Sequence, residues 1–62
     1  MKKYYIYCYN NKNKMVYKIE VEMREETFKE QINEGYIRFF DKKYGETICY
    51  LNLYNKIIIE EY

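Results

Sequence analysis

Apolar and polar residues alternate from Met15 to Met23 in the segment MVYKIEVEM, which carries the clearest period-two pattern in the chain. The segment YYIYCY at residues 4–9 is rich in aromatic and β-branched residues, and the polar run NNKNK separates the two segments. This arrangement predicts an antiparallel β-hairpin. With a short loop around Asn11–Lys12, the expected pairs are Cys8 with Met15, Ile6 with Tyr17, Tyr4 with Ile19 and Lys3 with Glu20.

The segment REETFKEQINEG at residues 24–35 has the only helical pattern in the chain. Phe28 and Ile32 are four residues apart and would lie on one face of the helix. Because the helix is only about two turns long, we expect it to dock on the sheet through these two side chains. Thr27, three residues before a glutamate, fits a capping box, and Gly35 is placed to end the helix in a left-handed conformation.

The pattern from Tyr36 to Tyr62 indicates three further strands, and this stretch is apolar on both faces. Gly45 suits the positive φ of a three-residue hairpin loop next to a bulge, and Asn55–Lys56 suits a two-residue turn. The expected pairs are Phe39 with Cys49, Ile37 with Leu51, Phe40 with Ile48, Arg38 with Tyr50, Leu53 with Ile58 and Tyr54 with Ile57. We therefore expect a single α+β domain, residues 1–62, with a small antiparallel sheet of about five strands and one short helix in the order ββαβββ.

These pairings agree on one division of the sheet into two faces. The expected core face, with the helix packed on it, holds Tyr4, Ile6, Cys8, Met15, Tyr17, Ile19, Val21, Met23, Ile37, Phe39, Cys49, Leu51, Leu53 and Ile58. The opposite face holds Tyr5, Tyr7, Tyr9, Phe40, Ile48, Tyr50, Tyr54, Ile57 and Ile59. One short helix cannot cover both faces, so the second face either binds a partner or closes on itself as a small barrel.

Composition argues against catalysis. The chain has 62 residues, a net charge of +1 and no histidine, the usual general base near neutral pH and the commonest metal ligand. It has no serine and a single aspartate, so a catalytic triad cannot be assembled. We therefore expect a protein that is not an enzyme and that has no catalytic residue, no cofactor and no metal.

The two cysteines, Cys8 and Cys49, are expected on the core face, where a free cysteine behaves as a small hydrophobic residue. Cys49 is a poor candidate for a nucleophile because no histidine is present to activate it. The chain has no secretory signal pattern and no apolar run near 18 residues. We expect a soluble, cytoplasmic protein with reduced thiols.

The uncovered second face suggests two functions. The first is self-association together with binding to another protein, since exposed apolar patches and tyrosines are typical of interfaces. The flat C-terminal strand, with three consecutive isoleucines, is also an edge on which another chain can pair. The expected interface residues are Phe40, Ile48, Tyr50, Tyr54, Ile57 and Ile59. A two-fold dimer and a ring both satisfy this expectation.

The alternative function is binding of a nucleotide or single-stranded nucleic acid. Bases would stack on Tyr5, Tyr7 and Tyr9, and Lys3 and Arg38 would be available for phosphates. The near-zero net charge and the six glutamates of residues 20–34 weigh against it. No membrane association is expected, because the helical segment is acidic and has only two apolar residues.

In length, in its Tyr, Lys, Asn and Glu-rich composition and in its strand–helix–strand layout, the whole chain resembles short β proteins encoded by phages and other mobile elements of low-GC bacteria. That group includes counter-defence inhibitors and ligand-sequestering oligomers. The resemblance implies a non-catalytic inhibitor or regulator that acts by binding. It involves no motif, so it assigns a role to no individual residue.

Overall fold

The computed structural model describes all residues from Met1 to Tyr62 and confirms the α+β class and the order ββαβββ. The elements are β1 (Lys2–Tyr9), β2 (Met15–Met23), α1 (Glu25–Glu34), β3 (Tyr36–Asp41), β4 (Gly45–Tyr50), a 3-10 helix (Leu51–Leu53) and β5 (Lys56–Glu61). All strand pairs are antiparallel, but the strands form two sheets instead of one. A three-stranded sheet has the order β2-β1-β5, and β3 and β4 form a separate two-stranded sheet.

The first hairpin forms as predicted, but its register differs by two residues: Ile6 lies opposite Ile19, and Cys8 lies opposite Tyr17. A shift of two keeps every side chain on its expected face. An irregularity between Cys8 and Tyr9 then brings Met15 opposite Tyr9. Met15 is therefore 50% exposed, and its prediction as a core residue was wrong.

The loop chemistry explains the first register. The Asn10 side chain accepts hydrogen bonds from the backbone N–H groups of Lys12 and Lys14, at 2.9 and 3.0 Å, and Asn13 takes a positive φ of 61°. This asparagine-based turn holds a longer loop than the short one expected, so the strands pair two residues further from the loop.

The helix docks on the three-stranded sheet through Phe28, as expected. Its ring is buried and stacks on the ring of Tyr4 with 3.7 Å between centroids. Gly35 ends the helix with φ of 88°, as predicted. The capping box at Thr27 was wrong, because the helix begins at Glu25 and Arg24 occupies the N-cap without a side-chain bond.

The second hairpin also keeps its predicted faces with a register shift of two residues. Ile37 lies opposite Cys49, and Gly45 pairs with Asp41 at a φ of 79°. The Asp41 carboxylate accepts hydrogen bonds from the backbone N–H groups of Lys43 and Tyr44, at 2.7 and 3.0 Å. These bonds close the three-residue loop directly after Asp41 and so set the register of the pair.

The last strand departs most from expectation. Instead of pairing with β4 through a tight turn at Asn55–Lys56, the chain forms the 3-10 helix and β5 pairs with β1. In that pairing Ile57 lies opposite Cys8 and Ile59 opposite Ile6, which places both on the core side of the sheet.

The faces predicted for the end of the chain are therefore wrong. Ile58 lies on the outer side, opposite Tyr7, and Leu53 is 74% exposed, whereas Tyr54 and Ile57 pack against the core. In a tight hairpin, the turn decides which alternate residues of the second strand face the core. Because β5 does not form a hairpin with β4, its core-facing residues are not determined by those of β4.

The core lies between the two sheets and the helix. Its buried residues are Tyr4, Ile6, Cys8, Ile19, Val21, Phe28, Ile37 and Cys49. At the edge of this core, Lys2 forms ion pairs with two elements: its ammonium lies 3.1 Å from Glu25 of the helix and 2.7 Å from Glu61 of β5. The single α-helix is too short and too polar to cross a membrane.

We expect Ile37→Val to reduce the free energy of unfolding by about 0.5–1.5 kcal/mol, because Ile37 is fully buried and the lost methyl leaves a cavity. Leu53→Ala should change it by less than about 0.5 kcal/mol, because that side chain is exposed and its loss leaves no cavity. Urea unfolding followed by circular dichroism at one protein concentration measures both. A larger effect at Leu53 than at Ile37 would contradict the described core.

Candidate interaction surfaces

The outer side of the two-stranded sheet is apolar and uncovered. Side chains alternate along β3 and β4, so the burial of Ile37 and Cys49 turns Phe40, Ile48 and Tyr50 away from the core. These three side chains are 76%, 42% and 55% exposed. We call this group the hairpin face.

Two charged side chains lie within the hairpin face, because Arg38 is opposite Ile48 and Glu46 is opposite Phe40. The Arg38 guanidinium Nε lies 3.8 Å from a Glu46 carboxylate oxygen, and both side chains are exposed. The backbone N–H of Arg38 donates to the Gln31 side chain at 2.9 Å, which fastens β3 to the helix. The apolar side chains are therefore presented by a hairpin that is fastened to the helix, and one acid and one base lie among them.

The six residues predicted as an interface do not form one group. Phe40, Ile48 and Tyr50 share the hairpin face, whereas Tyr54 and Ile57 pack against the core. Ile59 lies on the other sheet at its β5 edge and is 41% exposed. The division follows the parity change at the 3-10 helix.

The outer side of the three-stranded sheet carries Tyr5, Tyr7 and Tyr9 in a row along β1, as the alternation predicts, and each is half-buried. The Lys18 ammonium lies 5.0 and 5.6 Å from the ring centroids of Tyr5 and Tyr7. The Lys56 ammonium lies 4.6 Å from that of Tyr9. The protein's own cations thus contact all three rings.

Acidic groups balance the cations on this tyrosine face. The Tyr7 hydroxyl donates to Glu60 at 3.0 Å, and Lys3 lies 3.5 Å from Glu20. Arg38, the other predicted phosphate ligand, lies on the two-stranded sheet beside Glu46. The charged side chains on the face are three lysines, Lys3, Lys18 and Lys56, and three glutamates, Glu20, Glu22 and Glu60. The face therefore has no excess of positive charge for a phosphate chain.

An open groove of about 580 Å³ lies between the two sheets. Its walls come from β2, from the end of β3 and from the following turn, and they carry both acids and bases, including Lys18, Glu20, Glu22, Asp41, Lys42 and Lys43. The sequence does not predict this groove, because it depends on how the two sheets are placed relative to each other.

The buried cysteines are poor nucleophiles. Burial raises the pKa of Cys8 to about 11, and contact with Cys49 adds to the shift. Burial likewise raises the pKa of Cys49. Burial also raises the pKa of Tyr54 to about 12, and the neighbouring Cys49 adds to that shift. Both thiols are therefore protonated at neutral pH, and the thiolate is the reactive form. No three His, Cys, Asp or Glu side chains are grouped closely enough to hold a metal ion.

Comparison with known proteins does not connect these surfaces to a known function. No protein-family model matches the sequence, and no curated protein or solved structure is significantly similar to it.

We expect the protein to lose stability between about pH 9 and pH 11. The unfolded state releases the Cys8 proton near the ordinary pKa of 9.0, whereas the folded state keeps it until about 11, so alkali favours unfolding. From pH 7.5 to pH 10.5 the free energy of unfolding should fall by about 2 kcal/mol on account of Cys8. Urea unfolding of the wild type and of Cys8→Ala at both pH values measures this contribution, since the variant lacks it. An identical pH dependence in the two proteins would contradict the assignment.

Proposed function

We propose that this protein is a non-catalytic binding module, an inhibitor or regulator of the mobile-element type, which works as a homo-oligomer and occupies another protein through the hairpin face. The observation that carries the proposal is the exposure of Phe40, at 76%, on the same sheet face as Ile48 and Tyr50. Aromatic side chains of this kind are enriched among the residues that dominate binding energy.

The size of the chain supports this use of the hairpin face. Only 8 of the 62 residues are buried, and many large apolar side chains are exposed to water. Burying one such side chain in a partner contributes roughly 1.5–3 kcal/mol. The partner is expected to present an apolar patch that also contains charged groups, because Arg38 and Glu46 lie among the apolar side chains of the hairpin face and complementary charges favour one orientation.

The remaining chemistry agrees with a binding role. The chain has no histidine, and its two thiols are buried and protonated at neutral pH, so no side chain is prepared for nucleophilic or general base catalysis. We place the protein in the cytoplasm, since two adjacent thiols that remain unbridged suit a reducing compartment.

Photo-crosslinking tests the proposed partner surface. Benzoylphenylalanine in place of Phe40, in cells that naturally produce the protein, should give a discrete adduct heavier than two copies of the chain can explain. The same residue in place of Lys12, which is exposed in the first loop, is the matched control and should give no such adduct. Phe40→Ala should then weaken binding of the captured protein by about tenfold or more, whereas Lys12→Ala should leave it unchanged. Adducts of equal yield at both positions, or at neither, would refute a role for the hairpin face.

Binding of a nucleotide or single-stranded nucleic acid is the second candidate. The row of Tyr5, Tyr7 and Tyr9 on one strand face supports it, because successive bases stack on aromatic side chains arranged in this way. The equal number of acids on the same face weakens it.

If the tyrosine face binds nucleic acid, a fluorescent oligothymidine should bind with an affinity that falls as salt rises, because phosphate contacts release counterions. Tyr5→Ala with Tyr7→Ala should reduce that affinity by about tenfold or more, since each stacked base contributes roughly 1–3 kcal/mol. Phe40→Ala is the control and should have no effect. Fluorescence anisotropy measures all three, and an affinity that is indifferent to salt and to both tyrosines would exclude this candidate.

A further inference from the structure

The strand β5 is a free edge of the three-stranded sheet. It pairs with β1 on one side only, and no strand pairs with its other side. Ile58 and Ile59 are 42% and 41% exposed, and the strand contains no proline and no bulge. Natural proteins usually interrupt or cover such an edge, because its free N–H and C=O groups bind other strands.

The hydrogen bonds of β5 show which of its residues direct their backbone N–H and C=O groups to the free edge. The N–H of Tyr62 donates to the carbonyl of Lys3 at 2.9 Å, so the pair of these two residues is hydrogen-bonded. Bonded residues alternate along an antiparallel pair, and so Ile58 and Glu60 also turn their backbone groups toward β1. Ile57 and Ile59 therefore turn their N–H and C=O groups to the free edge.

The sequence of β5 is complementary to itself. Read against a second copy running the opposite way, the segment KIIIE at residues 56–60 matches lysine with glutamate at both ends and isoleucine with isoleucine between them. This match occurs only in the register centred on Ile58. A shift of two residues places isoleucine opposite a charge or a loop residue, and a shift of one residue reverses the faces.

We propose that β5 pairs antiparallel with β5 of a second copy in the register centred on Ile58, which joins two three-stranded sheets into one of six strands. The inference rests on the proposed homo-oligomer and names its interface. Ile57 and Ile59 of one copy then exchange backbone hydrogen bonds with Ile59 and Ile57 of the other, as the free groups of the edge require. The pairs across the two-fold axis are Lys56 with Glu60, Ile57 with Ile59, and Ile58 with Ile58.

Both faces of the joined sheet suit this register. On the core side, Ile57 and Ile59 of the two copies form one continuous apolar row. On the outer side, Lys56 already lies over Tyr9 and Glu60 already accepts a hydrogen bond from Tyr7. These contacts hold the two charged side chains on the outer face, where they would meet the charges of the second copy. Association therefore costs little additional side-chain entropy.

Charge exchange tests the register. Lys56→Glu leaves only glutamates at the paired positions and Glu60→Lys leaves only lysines, so each variant alone should dimerise about tenfold more weakly than the wild type, because two attractive pairs become repulsive. An equimolar mixture of the two variants should form a heterodimer, and the double variant should regain wild-type dimerisation. Sedimentation velocity and native mass spectrometry over a micromolar concentration series measure these outcomes.

A backbone variant provides a second test. Ile59→Pro removes an N–H group that points to the free edge and keeps the bonds between β5 and β1, so it should abolish the dimer while circular dichroism still shows the folded chain. A monomeric wild type, or a dimer that ignores both the charges and the proline, would overturn the proposal. Crosslinking at position 40 addresses the other sheet. A wild type that is monomeric but still gives the adduct at position 40 therefore refutes the β5 pairing alone, and a β5 dimer that gives no adduct at position 40 refutes the partner surface alone.

Discussion

The central strand β1 is the element on which the rest of this protein depends. It is the only strand that pairs with two neighbours, and Tyr4, Ile6 and Cys8 supply three of the eight buried side chains. Its other side carries the tyrosine row, so a single strand separates the core from one of the two exposed aromatic surfaces. In a chain this small, with little surface buried on folding, a second core elsewhere cannot compensate for a defect in this strand.

The two candidate surfaces differ in how their aromatic residues are used. Lysines contact the tyrosine rings of the three-stranded sheet and a glutamate accepts a hydrogen bond from Tyr7, so that surface is already satisfied within the chain. On the hairpin face, no lysine or glutamate contacts of this kind involve the Phe40 ring, which is largely exposed to solvent. An apolar side chain without a neighbour gains more from a partner than one that already has contacts, and this difference favours protein binding over base stacking.

Much of the fold follows from local pattern, and the largest error concerns the last strand. Alternation in β2 and β3 predicted the faces of Val21 and Ile37 correctly even though both registers differed by two residues, because a shift of two preserves parity. The same reasoning located Phe40, Ile48 and Tyr50 on one surface. It failed after Tyr50, where a 3-10 helix replaces the predicted continuation of the strand. The residues of that helix are equally suited to a strand, so the local pattern does not predict the change. β5 pairs with β1 because β1 has a free edge, and the sequence of residues 51–61 contains no information about that edge.

The hydrogen bond from Tyr62 to Lys3 brings the two ends of the chain together at one corner of the sheet. A short linker would therefore close the backbone into a circle, and the exposed loop around Asn11 offers a place to open new ends without cutting a strand. In such a permuted chain β2 would come first and β1 last, with every strand pair retained. The fold is thus defined by the neighbours of β1 and not by the point at which the chain happens to begin.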